Sequence, residues 1–446
     1  MRALPFARIF ILKTLEYICV VLSLAFCGAD RIDLLAGHGP SRLSPFLVFA
    51  SLVLLVHFLS MGLLGRLRAV IRPPVRRQYP YLIILALFLF FSFASTILGD
   101  DPQRGLVALC GLTLLAVLGY CLSVKIAADP APEKLVVRSV TLALIVYLFF
   151  CIGGYIAWSH GVMRLQEEGS TSIEAMFAPT ATFLWLPRLS GFCIDSNRAG
   201  FILVMYLALL DRFAGKTRYT NFLRFAIACF ILITVSRSAM LCWIAYYLFT
   251  TGFWKRLAKP RVALGWAAVV IACLAAGLNY QKEIAGLLDV WELSDVVLDR
   301  FSGEQGTSGA DHIQLIQRGI ETWSSSTRTI VAGIGFAGAP RVLGDYFQDN
   351  KYANFHSLYV SLLAELGLPA FLLFMIILGY PVIGREGAAS FIAAIAVFNV
   401  ALQSYMEPIF WVALALVWSF ELKPGRLRTY LQPVLRHSSR LGSVAS

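Results

Sequence analysis

The sequence predicts an all-α polytopic membrane protein with about 12 transmembrane helices and a large helical external loop between the ninth and tenth spans. Hydrophobic residues make up 58% of the 446-residue chain and charged residues only 14%, whereas soluble domains average about 45–50% and about 25%. Apolar runs close to the roughly 20 residues of a membrane-spanning helix recur along the chain. Lys and Arg collect in alternate connections, so the membrane explains the net charge of +12 and no nucleic-acid partner is predicted.

The candidate spans follow from these apolar runs. They cover approximately residues 9–27, 45–64, 80–98, 105–124, 136–158, 199–211, 222–235, 238–253, 262–279, 357–379, 387–404 and 406–421. The first run contains Lys13 and Glu16 and lacks a small-x-small cleavage site. We therefore expect an uncleaved first helix rather than a signal peptide.

The distribution of charge predicts the orientation of the spans. Arginines and lysines cluster in the connections after the second, fourth, sixth, eighth and twelfth spans, while Asp30, Asp33, Asp100 and Asp101 lie on the opposite side. By the positive-inside rule, both termini are cytoplasmic. The predicted regions are a five-helix N-terminal membrane region (1–158), an external loop (159–197), central membrane helices including a hairpin at Arg237 (198–279), the large external loop (280–356), three C-terminal membrane helices (357–421) and a basic cytoplasmic tail (422–446).

The large loop contains two predicted helical stretches. Residues 285–300 have the pattern of an amphipathic helix that lies on a membrane surface. Residues 311–323 form the second stretch, after a Gly/Ser-rich breaker at 302–309. The loop is thus predicted to form a helical cap rather than an independent domain.

Arg237 interrupts an apolar stretch, 222–254, that is too long for one ordinary span. A hairpin with Arg237 at its external turn explains this length. The arm 222–235 would be about 21 Å long as a helix, shorter than the roughly 30 Å hydrocarbon core. This predicts a guanidinium held among helices, where its planar fork suits phosphate oxygens. A snorkelling interfacial arginine is the alternative.

His356 opens the tenth span at the mouth of the large loop. A helix N-terminus favours the neutral imidazole, which suits a general base near neutral pH. A capping or interfacial histidine is the alternative. Glu365 lies nine residues further, roughly 13–14 Å deeper by helix rise, so we expect it to partner a buried donor rather than the ring.

Other polar residues are less specific. Arg318 on the second loop helix, and Arg300 before the breaker, are either additional phosphate ligands or solvated charges. Asp195 and Asn197 are good helix caps before the sixth span. Residues 333–338 match G-x-G-x-x-G without a βαβ context, which favours a flexible loop or close backbone packing over a nucleotide site. Neither the nine cysteines nor the external carboxylates form a metal-binding pattern.

Taken in order, these elements resemble the O-antigen ligase and O-antigen polymerase superfamily of bacterial membrane glycosyltransferases. The resemblance covers roughly residues 190–380. It is carried by the segment 191–197, by Ser236-Arg237-Ser238, by Arg318 with Trp323 and the Gly333–Phe336 loop, and by His356-Ser357 with Glu365 and Gly367. His-Ser followed by this glycine resembles the ligase form. Ala370 departs from the Gly, Thr or Tyr that usually follows three residues later, so ligase and polymerase both stay open.

The resemblance implies a lipid-glycosyltransferase (GT-C-like) architecture and a multi-pass protein of the Gram-negative inner membrane. The implied reaction is periplasmic transfer of a glycan from undecaprenyl pyrophosphate to a hydroxyl of lipid A–core oligosaccharide, without metal or other cofactor. The expected catalytic residues are His356 as base with Arg237 and Arg318 on the diphosphate. The expected substrate-binding residues are Arg300, Asn197, Arg198, Arg341, Ser357 and Tyr359, and the expected supporting residues are Asp195, Glu365, Gly367 and Trp323.

Three alternatives remain. An O-antigen polymerase or a protein O-oligosaccharyltransferase would use the same lipid-linked donor with another acceptor. A polytopic transporter would have a similar number of spans, but it should carry charged or broken helices near the midplane. Here the polar residues cluster at the external ends. The sugars and the oligomeric state are not predicted.

Overall fold

The computed structural model describes most of the predicted membrane region and part of the large loop. The described residues are 3–32, 34, 43–63, 79–163, 177–179, 182–183, 186–252, 308–344, 354–382 and 388–419. Four predicted features lie outside the described residues: the ninth span (262–279), the amphipathic stretch 285–300, Arg300 and the basic tail.

Helices form nearly all of the regular structure in this part of the chain. They are α1 Ala3–Ala25, α2 Pro45–Leu63, α3 Tyr79–Leu98, α4 Pro102–Ala128, α5 Pro132–Ser159, α6 Ser196–Phe213, α7 Arg218–Ile233, α8 Arg237–Thr250, α9 Ser308–Ser324, α10 Thr327–Ala332, α11 Ala339–Val342, α12 Leu358–Gly379, α13 Ala388–Ala401 and α14 Pro408–Ser419, with a 3₁₀ turn at Tyr380–Val382. Two short strands, β1 Thr182–Phe183 and β2 Leu186–Pro187, pair antiparallel within the predicted external loop 159–197. The all-α prediction thus missed one small hairpin.

Each predicted span that falls in the described residues coincides with a helix. By length and composition, four of the described helices can cross a membrane, namely Tyr79–Leu98, Pro102–Ala128, Pro132–Ser159 and the continuous segment Leu358–Val382. The segments Pro45–Ser60, Ala388–Val400 and Pro408–Trp418 are apolar but shorter. The chain is therefore a mostly helical membrane protein, and the count of 12 spans stays a prediction. The predicted loop helix 311–323 is confirmed by α9.

Local sequence explains several helix boundaries. The carboxylate of Asp101 accepts a hydrogen bond from the Arg104 backbone N–H at 3.2 Å, and Pro102 occupies the first turn of α4. Thr217 and Thr220 form a capping box at the start of α7. These caps satisfy amide donors that have no partner within the helix.

Helix α6 occupies the centre of the bundle. Every residue from Ala199 to Leu210 is buried. Helix α8 packs on α6 and α13, α14 packs on α4, and α12 packs on α3. Gly119 allows the close contact of α4 with α14, because a Cβ there would lie 2.7 Å from the Trp411 Cβ. The candidate site lies where the central helices begin.

Candidate functional site

Helices α6 and α8 run parallel and begin at the same end of the bundle. Near their starts, a Cβ on Gly200 would lie 2.1 Å from the Ala239 Cβ. Near their other ends, the Tyr246 hydroxyl donates a hydrogen bond to the Asp211 carboxylate at 3.0 Å. Because the same order of contacts is kept along both helices, the residues that precede Gly200 and Ala239 are neighbours.

Helix α13 runs antiparallel to these two helices. Phe398 stacks on Phe201 near the start of α6, with ring centroids 4.5 Å apart. Ser390 accepts a hydrogen bond from Arg212 near the end of α6, at 3.4 Å. The end of α13 therefore meets the starts of α6 and α8. We call this the site end of the bundle.

The segment that carries His356 is fixed to the same end. The Leu358 backbone N–H donates to the Leu402 carbonyl at 3.0 Å, just after α13. The Tyr359 hydroxyl donates to the Ala396 carbonyl at 3.0 Å, and the buried Ser357 hydroxyl donates to the Asn399 carbonyl at 3.5 Å. Both side chains were expected to bind substrate. In this structure their hydroxyls join the start of α12 to α13.

His356 itself lies in a strained turn. Its φ of 55° is in the left-handed region, and its backbone N–H donates to the Asn354 side-chain oxygen at 2.8 Å. On one side of it, the Phe355 ring is fully buried, and the Phe355 carbonyl accepts a 2.7 Å hydrogen bond from the Ser357 N–H. The neighbouring anchors therefore fix the backbone that carries the half-buried imidazole.

Backbone strain coincides with the three motifs that the sequence singled out. Among the described residues, positive φ at non-glycine positions occurs at Val235 (48°), Ala337 (56°) and His356 (55°). Val235 precedes the Ser236-Arg237 turn, and Ala337 lies in the glycine-rich loop. Such conformations cost about 1–3 kcal/mol each and cluster at functional sites, so the strain supports the same assignment independently of sequence.

Arg237 is the first residue of α8, directly after the turn that joins α7 to α8. Ser236 caps the helix, because its hydroxyl accepts a 3.2 Å hydrogen bond from the Ala239 N–H. The same hydroxyl donates to the Asn197 side-chain oxygen at 2.7 Å. The Arg237 side chain is exposed at the site end.

At the start of α6, charged side chains cap the helix and form ion pairs with neighbouring segments. Asp195 caps the helix by accepting hydrogen bonds from the N–H groups of Asn197 (2.7 Å) and Arg198 (3.1 Å). Arg198, an expected substrate ligand, forms ion pairs of 3.3 Å with both Asp30 and the buried Glu407. These pairs connect the residues after α1 and before α14 to the start of α6. Burial raises the pKa of Asp30, while the Arg198 guanidinium opposes that shift.

Arg318 lies on the loop helix α9, which packs against the residues that flank the His356 turn. The neighbouring residue, Gly319, packs on the residues flanking this turn, because a Cβ there would lie 3.0 Å from the Phe355 ring and 2.4 Å from Val360. Arg318 is exposed and pairs with Glu321 at 3.2 Å. On the same helix, the Trp323 indole donates to the Ile330 carbonyl at 3.3 Å. The fold thus brings the Arg318 segment to the His356 segment.

The glycine-rich loop docks on a kink in α12. Gly367 has φ 76° and ψ 177°, and Pro369 cannot donate a hydrogen bond to the Glu365 carbonyl. Instead, this carbonyl accepts hydrogen bonds from the Gly335 N–H and the Ser95 hydroxyl, both at 2.9 Å. The Glu365 carboxylate accepts a 3.1 Å hydrogen bond from the Ala339 N–H. The G-x-G-x-x-G sequence therefore serves close backbone packing.

Arg341 lies beside this loop, and its guanidinium donates a hydrogen bond to the Asp100 carbonyl. Arg328 donates to the Leu98 carbonyl and pairs with Asp100 at 3.4 Å. Both arginines hold the turn between α3 and α4 against the loop region. The described residues contain no group of three or more His, Cys, Asp or Glu side chains suited to a metal ion.

Two residues of the site end were missed at the sequence level. Arg188 donates hydrogen bonds to the Asn197 side-chain oxygen (3.2 Å) and to the Thr234 carbonyl (3.3 Å). Glu407 pairs with Arg198. Both are charged residues that interrupt apolar sequence, as Arg237 does. This signal could have identified them from the sequence.

The segment that carries most of the candidate residues matches a known family. Residues 222–375 match the family described as O-antigen ligase. This match supports membership of the O-antigen ligase superfamily. A comparison with curated proteins found no match to the chain. The match supports a membrane transferase related to O-antigen biosynthesis, with lipid-linked glycans as the substrate class. The matched segment contains Arg237, Arg318 and His356, while Asn197 and Arg198 precede it.

Proposed function

We propose that the protein is an O-antigen ligase that transfers glycan from undecaprenyl pyrophosphate to a hydroxyl of lipid A–core oligosaccharide. The observation that carries this proposal is the convergence of the His356, Arg237 and Arg318 segments at one end of the bundle, two of them beside strained turns. In this proposal the site end faces the periplasm, and both termini of this inner-membrane protein face the cytoplasm.

The chemistry requires one base and positive charge on the leaving group. The acceptor hydroxyl oxygen bonds to the anomeric carbon while the bond from that carbon to the diphosphate oxygen breaks. The electron pair leaves with undecaprenyl diphosphate, and the hydroxyl proton goes to a ring nitrogen of His356. Arg237 and Arg318 stabilise the charge on the diphosphate. The single displacement inverts the anomeric configuration.

The role of the base is tested with two His356 variants. Alanine at this position would be strained at positive φ, whereas asparagine tolerates the left-handed region. His356→Asn therefore removes the base without adding backbone strain. We expect both His356→Ala and His356→Asn to lower transfer by about 10²–10⁴-fold, the usual contribution of a general base. The assay incubates purified protein with lipid-linked glycan and lipid A–core, and it measures ligated product. His160→Ala, at the exposed end of α5, is the matched control. Normal transfer by His356→Asn would eliminate the base assignment.

The role of the arginines is tested in the same assay. We expect Arg237→Ala to lower turnover or donor affinity by about 10²–10³-fold, as removal of a charge-stabilising donor does. Arg138→Ala, whose guanidinium donates to the Tyr17 hydroxyl elsewhere in the bundle, is the control. Unchanged kinetics of Arg237→Ala would contradict the diphosphate role.

In this proposal, guanidinium groups take the place of a divalent metal ion. EDTA should therefore leave transfer intact. A loss of transfer that a divalent metal ion restores would contradict the proposal.

Parallel incubations with different acceptors identify the acceptor that the enzyme uses. Product on lipid A–core supports the ligase. Extension of the lipid-linked glycan without lipid A–core would instead identify a polymerase, and labelling of a Ser- or Thr-containing peptide would identify a protein glycosyltransferase.

A further inference from the structure

Arg188 contacts both elements that support the Arg237 turn. Its Nε donates to the Thr234 carbonyl at 3.3 Å, directly before the strained Val235. Its Nη2 donates to the Asn197 Oδ1 at 3.2 Å. This oxygen also accepts the 2.7 Å hydrogen bond from Ser236. Arg188 therefore contacts the residue before Val235 directly, and it is linked to the residue after Val235 through the shared Asn197 oxygen.

The backbone of Arg188 is itself anchored in the bundle. The next carbonyl, that of Leu189, accepts a hydrogen bond from the Tyr147 hydroxyl at 3.3 Å. The following side chain, Ser190, is buried and accepts a 3.0 Å hydrogen bond from the Arg31 guanidinium. These interactions restrict the position from which the Arg188 guanidinium reaches the turn.

We propose that Arg188, acting with Asn197, is a positioning residue that holds the strained Thr234–Ser236 turn and so orients Arg237. This inference rests on the proposed function, because it explains how Arg237 is directed to the donor diphosphate. A β-branched residue such as Val235 is unfavourable at positive φ and persists there only when its surroundings fix the turn. The Arg188–Asn197 pair supplies two of those restraints.

The geometry requires a guanidinium rather than any cation. The two acceptors, the Thr234 carbonyl and the Asn197 side chain, are bound by different nitrogens of one rigid planar fork. A lysine ammonium is a point charge on a flexible stem and would not hold both at a fixed separation. Arg188→Lys should therefore recover only part of the activity that Arg188→Ala loses.

The test is a double-mutant cycle on steady-state transfer. A 1 Å misplacement costs up to about 100-fold in rate, so we expect Arg188→Ala and Asn197→Ala each to lower kcat/KM by about 10- to 100-fold. In an Arg237→Lys background, the added cost of Arg188→Ala should shrink to about threefold or less, because a rotatable ammonium depends less on the orientation of the turn. Effects that multiply independently would overturn the proposal, as would Arg188→Ala with wild-type kinetics.

Arg224→Lys is the matched control for a structural guanidinium. Arg224 pairs with Asp211 at 2.6 Å and donates to the Leu210 and Ala214 carbonyls, at the opposite end of α6. Its replacement should leave kcat/KM within about threefold and should show no coupling to Arg237. Equal coupling of both arginines to Arg237 would show that Arg188 affects activity only through the general stability of the protein, and it would overturn the inference.

Failure of the inference is distinguishable from failure of the proposed function. Inactive His356→Asn and Arg237→Ala together with normal Arg188→Ala would reject only the positioning role. Normal activity of His356→Asn would reject the proposed base, whatever Arg188 does.

Discussion

Replacing Gly367 by alanine should undock the glycine-rich loop from α12. With φ 76° and ψ 177°, this residue occupies a region essentially restricted to glycine. An added Cβ would also lie 2.2 Å from the Val331 carbonyl oxygen, which belongs to backbone and cannot rotate away. The substitution must therefore move the chain at α10 or at the kink itself.

The magnitude follows from the strain and the hydrogen bonds lost. Strain at such a position costs about 1–3 kcal/mol. Two docking hydrogen bonds lie beside the kink, from Ile334 N–H to the Ala364 carbonyl and from Gly335 N–H to the Glu365 carbonyl, both 2.9 Å long. Each contributes about 0.5–1.5 kcal/mol. We therefore expect Gly367→Ala to lower the free energy of unfolding by about 2–6 kcal/mol.

Gly379→Ala is the matched control within the same helix. A Cβ there meets nothing within 4 Å, and alanine is favoured over glycine in helices by about 0.5–1 kcal/mol. The assay is denaturant unfolding of the purified proteins in detergent, combined with limited trypsin digestion at Arg328 and Arg341. Gly367→Ala should unfold earlier and be cleaved faster at these two sites. Equal stability and equal cleavage of the two variants would refute this account of the kink.

Three further predictions concern packing at the site end. Gly200→Ala should separate α6 from α8 and impair transfer, and Ala239→Gly should restore it in the double variant, because the two Cβ atoms would otherwise lie 2.1 Å apart. Phe355→Ala should destabilise the protein by about 3–5 kcal/mol and slow transfer, as measured by unfolding and product formation. Arg198→Ala should lower the free energy of unfolding by less than the ~3–5 kcal/mol typical of a fully buried pair, because the Arg198 side chain is 43% exposed, and Glu407→Gln in the same chain should recover part of that loss in an unfolding assay.

Helix positions were predictable because apolar runs are a local property of the sequence. The residues 80–98 and 357–379, for example, were predicted as spans, and helices occupy 79–98 and 358–379. The β1–β2 hairpin was missed, since two-residue strands leave almost no periodic signal. The hairpin of α7 and α8 was predicted because the apolar stretch is too long for one ordinary span and is interrupted by Ser236-Arg237-Ser238.

The candidate residues were predictable where an unusual residue type interrupts an apolar run. Arg237 stood out in this way, whereas His356 stood out because it opens a predicted span after the large loop. The positive φ values at Val235 and His356 add evidence that no composition could supply. Arg188 carries the same signal as Arg237, but the sequence does not indicate its partners, which are Asn197 and the turn at Thr234. Such a relationship is invisible until the helices are packed.

By itself, the sequence determined that this chain is a helical membrane protein with polar residues at the ends of its spans, because hydrophobicity and charge act locally. Only the tertiary structure decided which ends meet. Long-range contacts, such as Gly200 with Ala239 and Leu358 with Leu402, bring together the parallel helices α6 and α8, the antiparallel helix α13 and the start of α12. These contacts assign Arg198 to ion pairs and Arg188 to the turn before Arg237, because a side chain's partners depend on packing between distant segments rather than on its neighbours in sequence.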